Sequence, residues 1–265
     1  MSRIAATFAR LKSEGKKGFI PFIVAGDPDL ETTRKLLIEL SRAGATVIEL
    51  GVPFSDPMAD GPVIQRASER ALRNHVGVAD VLAVVAEARR TTAVPIVLFS
   101  YFNPLLQFGI ERLANEAQRA GADGVLVTDL APEESDDFAK ALRGQLLDLI
   151  FLAAPTSTDE RLRMITERAS GFIYAVSRAG VTGTRSDVSV EAENLVARVR
   201  QISDLPVAVG FGISNAEQVA GVCRYADAAV VGSAIVAEIE KRSEQSHLAE
   251  AIGDFVRNLL GNQAA

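Results

Sequence analysis

The chain has 265 residues, 48% of them hydrophobic, and a net charge of −6. That length suffices for one large α/β barrel or two smaller domains, whereas the acidic balance without a basic block argues against a nucleic-acid partner. The single cysteine, Cys223, excludes an internal disulfide, and no apolar run approaches the ~20 residues that span a bilayer, so we expect a cytoplasmic protein without a membrane partner.

The first predicted element is an amphipathic helix at the N-terminus, since Ile4, Phe8 and Leu11 recur at helical spacing. No apolar stretch follows the basic residues as in a signal peptide, although a transit peptide stays open as a minor alternative. From there strands and helices alternate. The predicted strands are Phe19–Val24, Thr46–Leu50, Pro95–Phe99, Gly124–Thr128, Leu147–Leu152, Phe172–Val176, Pro206–Val209 and Ala228–Val231. The predicted helices are Leu30–Ala43, Val78–Arg90, Ile110–Ala120, Pro132–Leu142, Asp159–Ala169, Val190–Ile202, Asn215–Gly221 and His247–Leu260.

Eight successive strand-then-helix units in a chain of this length predict a (β/α)₈ TIM barrel. Besides the N-terminal helix, Pro62–Arg73 forms an extra helix after the second strand, with proline at its favoured first position. No linker separates the units, so residues 1–265 are expected to form a single domain. A doubly wound open sheet stays open as the alternative fold.

The stretch from Val47 to Gly61 holds the main candidates for chemistry. Alternation along the second strand places Glu49 on the same inner face as Val47, and a carboxylate there is costly unless it is paired, hydrated or used. Asp60 follows eleven residues later, and the two carboxylates could form an acid/base pair. At this point Glu49 as a hydrated carboxylate and Asp60 as a cap of the extra helix both stay open.

Other strand ends give weaker signals. Asp27 reads as a turn and a helix cap, and Asp129 as either a site residue or a cap near Pro132. The aromatic stretch Phe99–Pro104 is either a wall for a flat apolar ligand or ordinary core and turn. The segment Arg178–Thr184 has two glycines and small hydroxyls, as a movable lid would.

Glycines at the ends of strands seven and eight predict a phosphate site. Gly210 and Gly212 flank the end of strand seven, and Gly232-Ser233 opens a helix after strand eight. Barrels often bind phosphate there through backbone N–H groups and a helix N-terminus. Because the protein is acidic overall, the binding would rest on these local groups. Tight turns are the alternative reading.

Several chemistries are excluded by what the strand ends lack. His75 and His247 are the only histidines and neither ends a strand, so no metal site is expected. No lysine ends a strand, which argues against a Schiff base. Carboxylates, hydroxyls, Tyr101 and Tyr174 remain. Carbon–carbon bond chemistry would then need a substrate that supplies its own electron sink.

These residues closely resemble the tryptophan synthase α-subunit family, and the shared motifs span nearly the whole barrel. They are Pro21 to Pro28, Ile48 to Gln65, Ser177 to Gly183, Val209 to Ser214 and Val231 to Val236. The segment from Glu49 to Pro57 with Ala59 to Pro62 is highly specific. Two small departures are Ala131, where a second proline is usual, and Phe108, where tyrosine is frequent.

The resemblance implies a barrel lyase that cleaves indole-3-glycerol phosphate to indole and glyceraldehyde 3-phosphate in tryptophan biosynthesis, without a metal or a cofactor of its own. Glu49 would protonate the indole carbon that bears the side chain and take the proton of the glycerol hydroxyl. Asp60 would hold the ring N–H and stabilise the positive intermediate. The implied phosphate site is Gly183, Gly212, Gly232 and Ser233, and the implied substrate-lining residues are Phe22, Ile64, Phe99, Tyr174, Thr182 and Phe211.

The resemblance also implies a partner, a tryptophan synthase β subunit that uses pyridoxal phosphate, in an α₂β₂ heterotetramer. Independently, the apolar cluster Pro53, Phe54, Pro57 and Met58 in a mouth loop indicates a surface that a partner covers, with a loop folded onto the extra helix Pro62–Arg73 as the alternative. Two other classes stay open: another phosphate-sugar barrel enzyme, such as an isomerase or decarboxylase, and a non-catalytic regulatory subunit.

Overall fold

Eight parallel strands close into a barrel in the order β1 to β8, which excludes the open doubly wound sheet. The computed structural model describes residues 1–177, 187–210 and 212–261, with the backbone alone for 187–189. The strands are β1 Gly18–Val24, β2 Ile48–Gly51, β3 Ile96–Ser100, β4 Gly124–Val127, β5 Asp148–Ala153, β6 Ile173–Val176, β7 Val207–Gly210 and β8 Ala228–Val231.

Helices surround the barrel and, where the structure describes the chain, none is long and apolar enough to cross a membrane. Helices α1 to α6 are Arg3–Ser13, Leu30–Arg42, Pro62–Arg73, Val78–Ala88, Phe102–Phe108 and Ile110–Ala120. Helices α7 to α12 are Asp136–Gly144, Asp159–Arg168, Asp187–Arg200, Ala216–Val222, Ser233–Arg242 and Leu248–Leu260. A 3₁₀ turn at Pro132–Glu134 precedes α7.

The strand faces divide the core into two layers. Val47, Val97 and Val230 belong to the cluster inside the barrel, whereas Ile48 and Leu50 pack outward under the helices. The predicted inward face of β2 is therefore confirmed. Helix α1 adds Ile4, Phe8 and Leu11 to the inner cluster, with the ring of Phe8 centred 5.8 Å from that of Phe172.

The chain departs from the sequence prediction between β3 and β5. Residues for which the sequence predicts no helix form α5, in which Pro104 is the third residue. Proline is tolerated there because the first-turn N–H groups have no intrahelical acceptor. The helix predicted from Pro132 instead begins as the 3₁₀ turn, where the Ser135 hydroxyl donates to the Pro132 carbonyl over 2.7 Å.

Candidate active site

A cavity of about 420 Å³ opens at the carboxyl ends of the strands. Its walls include every predicted site residue that the structure describes, namely Phe22, Glu49, Asp60, Ile64, Phe99, Tyr174, Gly212, Gly232 and Ser233. The remaining predicted site residues, Thr182, Gly183 and Phe211, and the predicted lid Arg178–Thr184, lie outside the described residues. The topology thus brings together residues from six strand ends and the loops that follow them.

Glu49 is the deepest polar group of the cavity. The register of β2 sets it beside Phe22 on β1 and Val97 on β3, and its side chain is 1% exposed. Neither carboxylate oxygen has a hydrogen-bond partner among the described residues. Burial without compensation raises the pKa of Glu49 well above its ordinary value. The chain therefore holds a carboxyl group that retains a proton unusually well and has both oxygens free to meet a ligand.

Tyr174 on β6 shares the floor of the cavity with Glu49. Burial raises the pKa of its hydroxyl, and the charge of Glu49 adds to the shift. The ring lies against Gly210, where an added Cβ would sit 2.1 Å from the Tyr174 hydroxyl oxygen. Glycine at the end of β7 is therefore required for the position of this ring.

Asp60 lies beside Tyr101, a residue at the start of α5. The Tyr101 hydroxyl accepts a hydrogen bond from the Ala59 N–H over 2.9 Å, and its interaction with the Asp60 carboxylate lowers the pKa of that carboxylate. The Phe54 ring lies 5.3 Å from that of Tyr101. Burial raises the pKa of Asp60 to about 6, although the Tyr101 hydroxyl lowers it. A group with this pKa is still mostly ionised at pH 7.

The alternative reading of Asp60 as a helix cap does not fit its position. Gly61 is the N-cap residue of α3, and no side chain caps that helix. The Asp60 backbone carbonyl accepts from the Gln65 side-chain amide over 2.8 Å, while its carboxylate faces the cavity.

Aromatic rings form a slot between the two carboxylates and the barrel wall. The Phe22 and Phe99 rings meet edge to face, with centroids 5.1 Å apart and planes at 74°. A Cβ at Gly51 would lie 2.8 Å from the Phe22 ring, so this glycine makes room for the slot. Ile64, on the first turn of α3, lines the same cavity. A flat apolar ligand fits such walls.

The adjoining wall, where a Cβ at Gly232 would lie 3.5 Å from the Phe22 side chain, carries the predicted anion site. Helix α11 begins directly after Gly232 with no side-chain cap and no acidic residue in its first turn. Its first backbone N–H groups have no intrahelical acceptors, so they are donors for an anion. Gly212 has φ +78° and nothing within 4 Å of an added Cβ, which leaves the backbone open to a ligand. No cationic side chain lines the described part of the cavity.

Two other aspartates take roles that the sequence did not predict. Asp27 is not a cap: the N-cap of α2 is Asp29, which accepts from the Thr32 N–H. Asp27 is instead buried and paired with an arginine. Asp129 accepts from the Phe102 N–H over 2.7 Å, so it anchors the start of α5 from the neighbouring strand end.

No cluster of three or more histidine, cysteine, aspartate or glutamate side chains suited to a metal ion occurs within 1–177, 190–210 and 212–261. Four further residues line the cavity that the sequence did not single out as site residues: Ala59, Gly61, Ile213 and Val230. Val230 could be predicted from the alternation of side chains along β8, since it shares the inner face of that strand with Ala228. Tyr101 and Asp60 are far apart in the sequence, so local sequence patterns do not predict their contact.

The family model of the tryptophan synthase alpha chain matches residues 8–259. A tryptophan synthase alpha chain of Geobacter sp. (strain M21) is 50% identical over 98% of this chain and 97% of its own. One of Citrifermentans bemidjiense is 51% identical with the same coverage. The crystal structure of tryptophan synthase subunit alpha from Legionella pneumophila str. Paris superposes with a TM-score of 0.89 at 38% identity, covering 99% of both chains. The chain belongs to the tryptophan synthase alpha chain family.

Proposed function

We propose that this chain cleaves indole-3-glycerol phosphate to indole and glyceraldehyde 3-phosphate, and that Glu49 carries both proton transfers. Protonated Glu49 gives its proton to the ring carbon that bears the glycerol chain, which turns the ring into a cationic electron acceptor. The resulting carboxylate removes the proton from the adjacent hydroxyl. As that C–O bond becomes a carbonyl, the carbon–carbon bond breaks and its electron pair returns to the ring. The raised pKa of Glu49 suits the first step.

Asp60 stabilises the cationic ring in this mechanism. Its carboxylate accepts the ring N–H, and its negative charge offsets the positive charge that develops when the ring carbon is protonated. The Tyr101 hydroxyl favours the charged form of this carboxylate, because it lowers the pKa of Asp60. The phosphate lies at the N-terminus of α11, beside Gly212 and Gly232, where helix dipole and N–H groups replace cationic side chains.

The single observation that carries this proposal is the buried Glu49 carboxyl group, which lacks any described partner and faces an apolar cavity. An enzyme acting on a sugar phosphate alone would need polar walls for several hydroxyls, whereas Phe22, Phe99 and Ile64 offer none. A purely regulatory subunit has no use for an uncompensated buried acid, which is costly to the fold.

A direct test is spectroscopic measurement of indole release from indole-3-glycerol phosphate by the purified chain. We expect one indole for each glyceraldehyde 3-phosphate, at a rate unchanged by prolonged chelation, because the proposed step uses only carboxylates. A rate that chelation abolishes and a divalent ion restores would contradict the mechanism. Release of no indole, with turnover of a ribose phosphate, would favour the sugar-phosphate alternative.

Membership of the family implies a β-subunit partner, which we propose to bind as an α₂β₂ heterotetramer at the cavity mouth. Pyridoxal phosphate is expected only in that partner. The mouth exposes apolar side chains that support a covering surface: Met58 is 93% exposed and Leu106 49%. Two members of the predicted docking cluster are less available to a partner than Met58, because Pro53 is buried and the Phe54 ring packs on that of Tyr101.

Met58, the most exposed of these side chains, is therefore the residue at which docking is best tested. Met58→Glu should weaken binding of the β subunit about tenfold or more, because it places a charge in a desolvated contact. The rate of the isolated chain should stay unchanged, since the Met58 side chain points to solvent. Calorimetry with the β subunit measures the affinity. Leu146→Glu, at an exposed site outside the mouth, is the control, and equal affinities of both variants would refute the docking surface.

A further inference from the structure

A buried ion pair lies just outside the cavity, between the end of β1 and helix α3. The Asp27 carboxylate is 1% exposed and accepts two hydrogen bonds from Arg70, over 2.7 Å to Nε and 2.9 Å to Nη2. Such two-point contact fixes the orientation of both side chains. Burial raises the pKa of Asp27 even though Arg70 opposes the shift, so the carboxylate depends on this partner to stay charged.

Arg70 also contacts the neighbouring helix α11. Its third nitrogen donates to Glu240 on α11 over 2.7 Å. Arg66, one turn earlier on α3, donates to both oxygens of Glu240 at 2.8 Å. The two arginines hold the pKa of Glu240 at about 2, so it stays charged. The side chain of Arg66 is 48% exposed, against 22% for Arg70.

The two helices joined in this way carry different parts of the cavity wall. Helix α3 follows Asp60 and presents Ile64 to the cavity. Its position therefore determines the part of the cavity that would bind the indole ring, which we call the ring half. Helix α11 begins at Ser233 and presents backbone N–H groups to the part of the cavity that would bind phosphate, which we call the phosphate half. Arg70, which belongs to α3, therefore forms hydrogen bonds both to Asp27 after β1 and to Glu240 on α11.

We infer that Arg70 is a positioning residue that fixes the separation between the ring half and the phosphate half of the site. It acts through Asp27 and Glu240 and does not touch the substrate. The inference rests on the proposed function, since the two halves must be spanned by one substrate. Because a ligand that spans two subsites binds tightly only when their spacing matches its length, a loosened spacing should weaken that ligand selectively.

The test compares three ligands by calorimetry or NMR titration of the full chain. Indole occupies only the ring half, glyceraldehyde 3-phosphate only the phosphate half, and an indole carrying phosphate on a three-carbon chain spans both. For Arg70→Met we expect about a tenfold or greater loss of affinity for the spanning ligand, with each fragment within about twofold of wild type. Glu240→Gln leaves the buried Asp27–Arg70 pair intact and should also weaken binding of the spanning ligand selectively. It is the test variant to use if Arg70→Met does not fold.

Arg66→Met is the matched control. It removes an arginine that lies on the same helix and pairs with the same glutamate, Glu240, but is more exposed than Arg70. It should leave all three affinities within about twofold, as is usual for surface pairs. Fragments weakened as strongly as the spanning ligand would overturn the inference in favour of a general structural role. Unchanged affinity for the spanning ligand in both test variants would overturn it too. A wild-type chain that binds the spanning ligand no better than the fragments would instead contradict the proposed function.

Discussion

Replacing Glu49 with glutamine should lower kcat for indole release by about 10²–10⁴, the usual share of general acid–base catalysis. Glutamine has nearly the same shape but neither gives nor takes a proton at the ring carbon or the hydroxyl. The affinity for a substrate analogue should change little, because the slot of Phe22 and Phe99 and the anion site remain. Steady-state kinetics together with analogue binding separates the two effects. Near-normal kcat in this variant would remove Glu49 from the mechanism.

The same substitution should stabilise the fold at neutral and alkaline pH. The folded chain raises the pKa of Glu49 above its ordinary 4.5 because the carboxylate is buried without a partner. The group's contribution to stability is therefore fully present below pH 4.5 and is lost as the pH rises through the folded-state pKa. Glutamine does not ionise and escapes that loss. Each 1 kcal/mol regained corresponds to a melting temperature about 2–4 °C higher for a chain of this size.

Asp148→Asn provides a matched control for the effect on kcat. Asp148 is also a buried strand carboxylate whose pKa burial raises, but it begins β5 at the opposite end of the barrel and accepts a hydrogen bond from Ser2. Its replacement should leave kcat unchanged. A fall in kcat equal to that of Glu49→Gln would show that burying any neutral side chain in the barrel disturbs the site, and would weaken the case for Glu49.

The barrel and the floor of its cavity could be predicted from the sequence because they depend on local periodicity. Alternation along β2 places Glu49 inward whatever the neighbouring strands are, and the glycines at Gly212 and Gly232 mark strand ends directly. The roof of the cavity depends on contacts between distant segments. Tyr101 meets Ala59 across 42 positions and Arg70 meets Asp27 across 43, so neither pairing has a signal in its own segment.

Helix α5 shows how such contacts change local structure. The residues before Pro104 favour a turn, yet the Asp129 carboxylate accepts the Phe102 N–H and satisfies the start of a helix there. That helix in turn places Tyr101 over Asp60. A side chain at the end of one strand thus decides the conformation after the previous strand, and propensity within either segment does not contain this information.

Asp60→Asn should remove most of the activity while leaving the fold intact. Asparagine preserves the size of the side chain but offers no negative charge to the cationic ring, and loss of one such preorganised contact commonly costs about 10²–10³ in kcat. The fold should persist because the Asp60 side chain caps no helix and its backbone carbonyl still accepts from Gln65. Turnover and thermal melting measured together test both statements. Asp56→Asn, an exposed position in the same loop that is absent from the cavity wall, is the control and should keep the isolated chain's rate.

The pH profile gives the sharper test of Asp60, because its pKa has an identified cause. If the ionised carboxylate is required, kcat/KM of the wild-type chain should fall as the pH drops through about 6, where Asp60 becomes protonated. The Tyr101 hydroxyl lowers this pKa against the larger effect of burial. Tyr101→Phe leaves burial unopposed, so the acid limb of the profile should move to higher pH, whereas Asp60→Asn should abolish it. An acid limb that stays in place in Tyr101→Phe, or that persists in Asp60→Asn, would assign the titration to another group and refute the proposed role of Asp60.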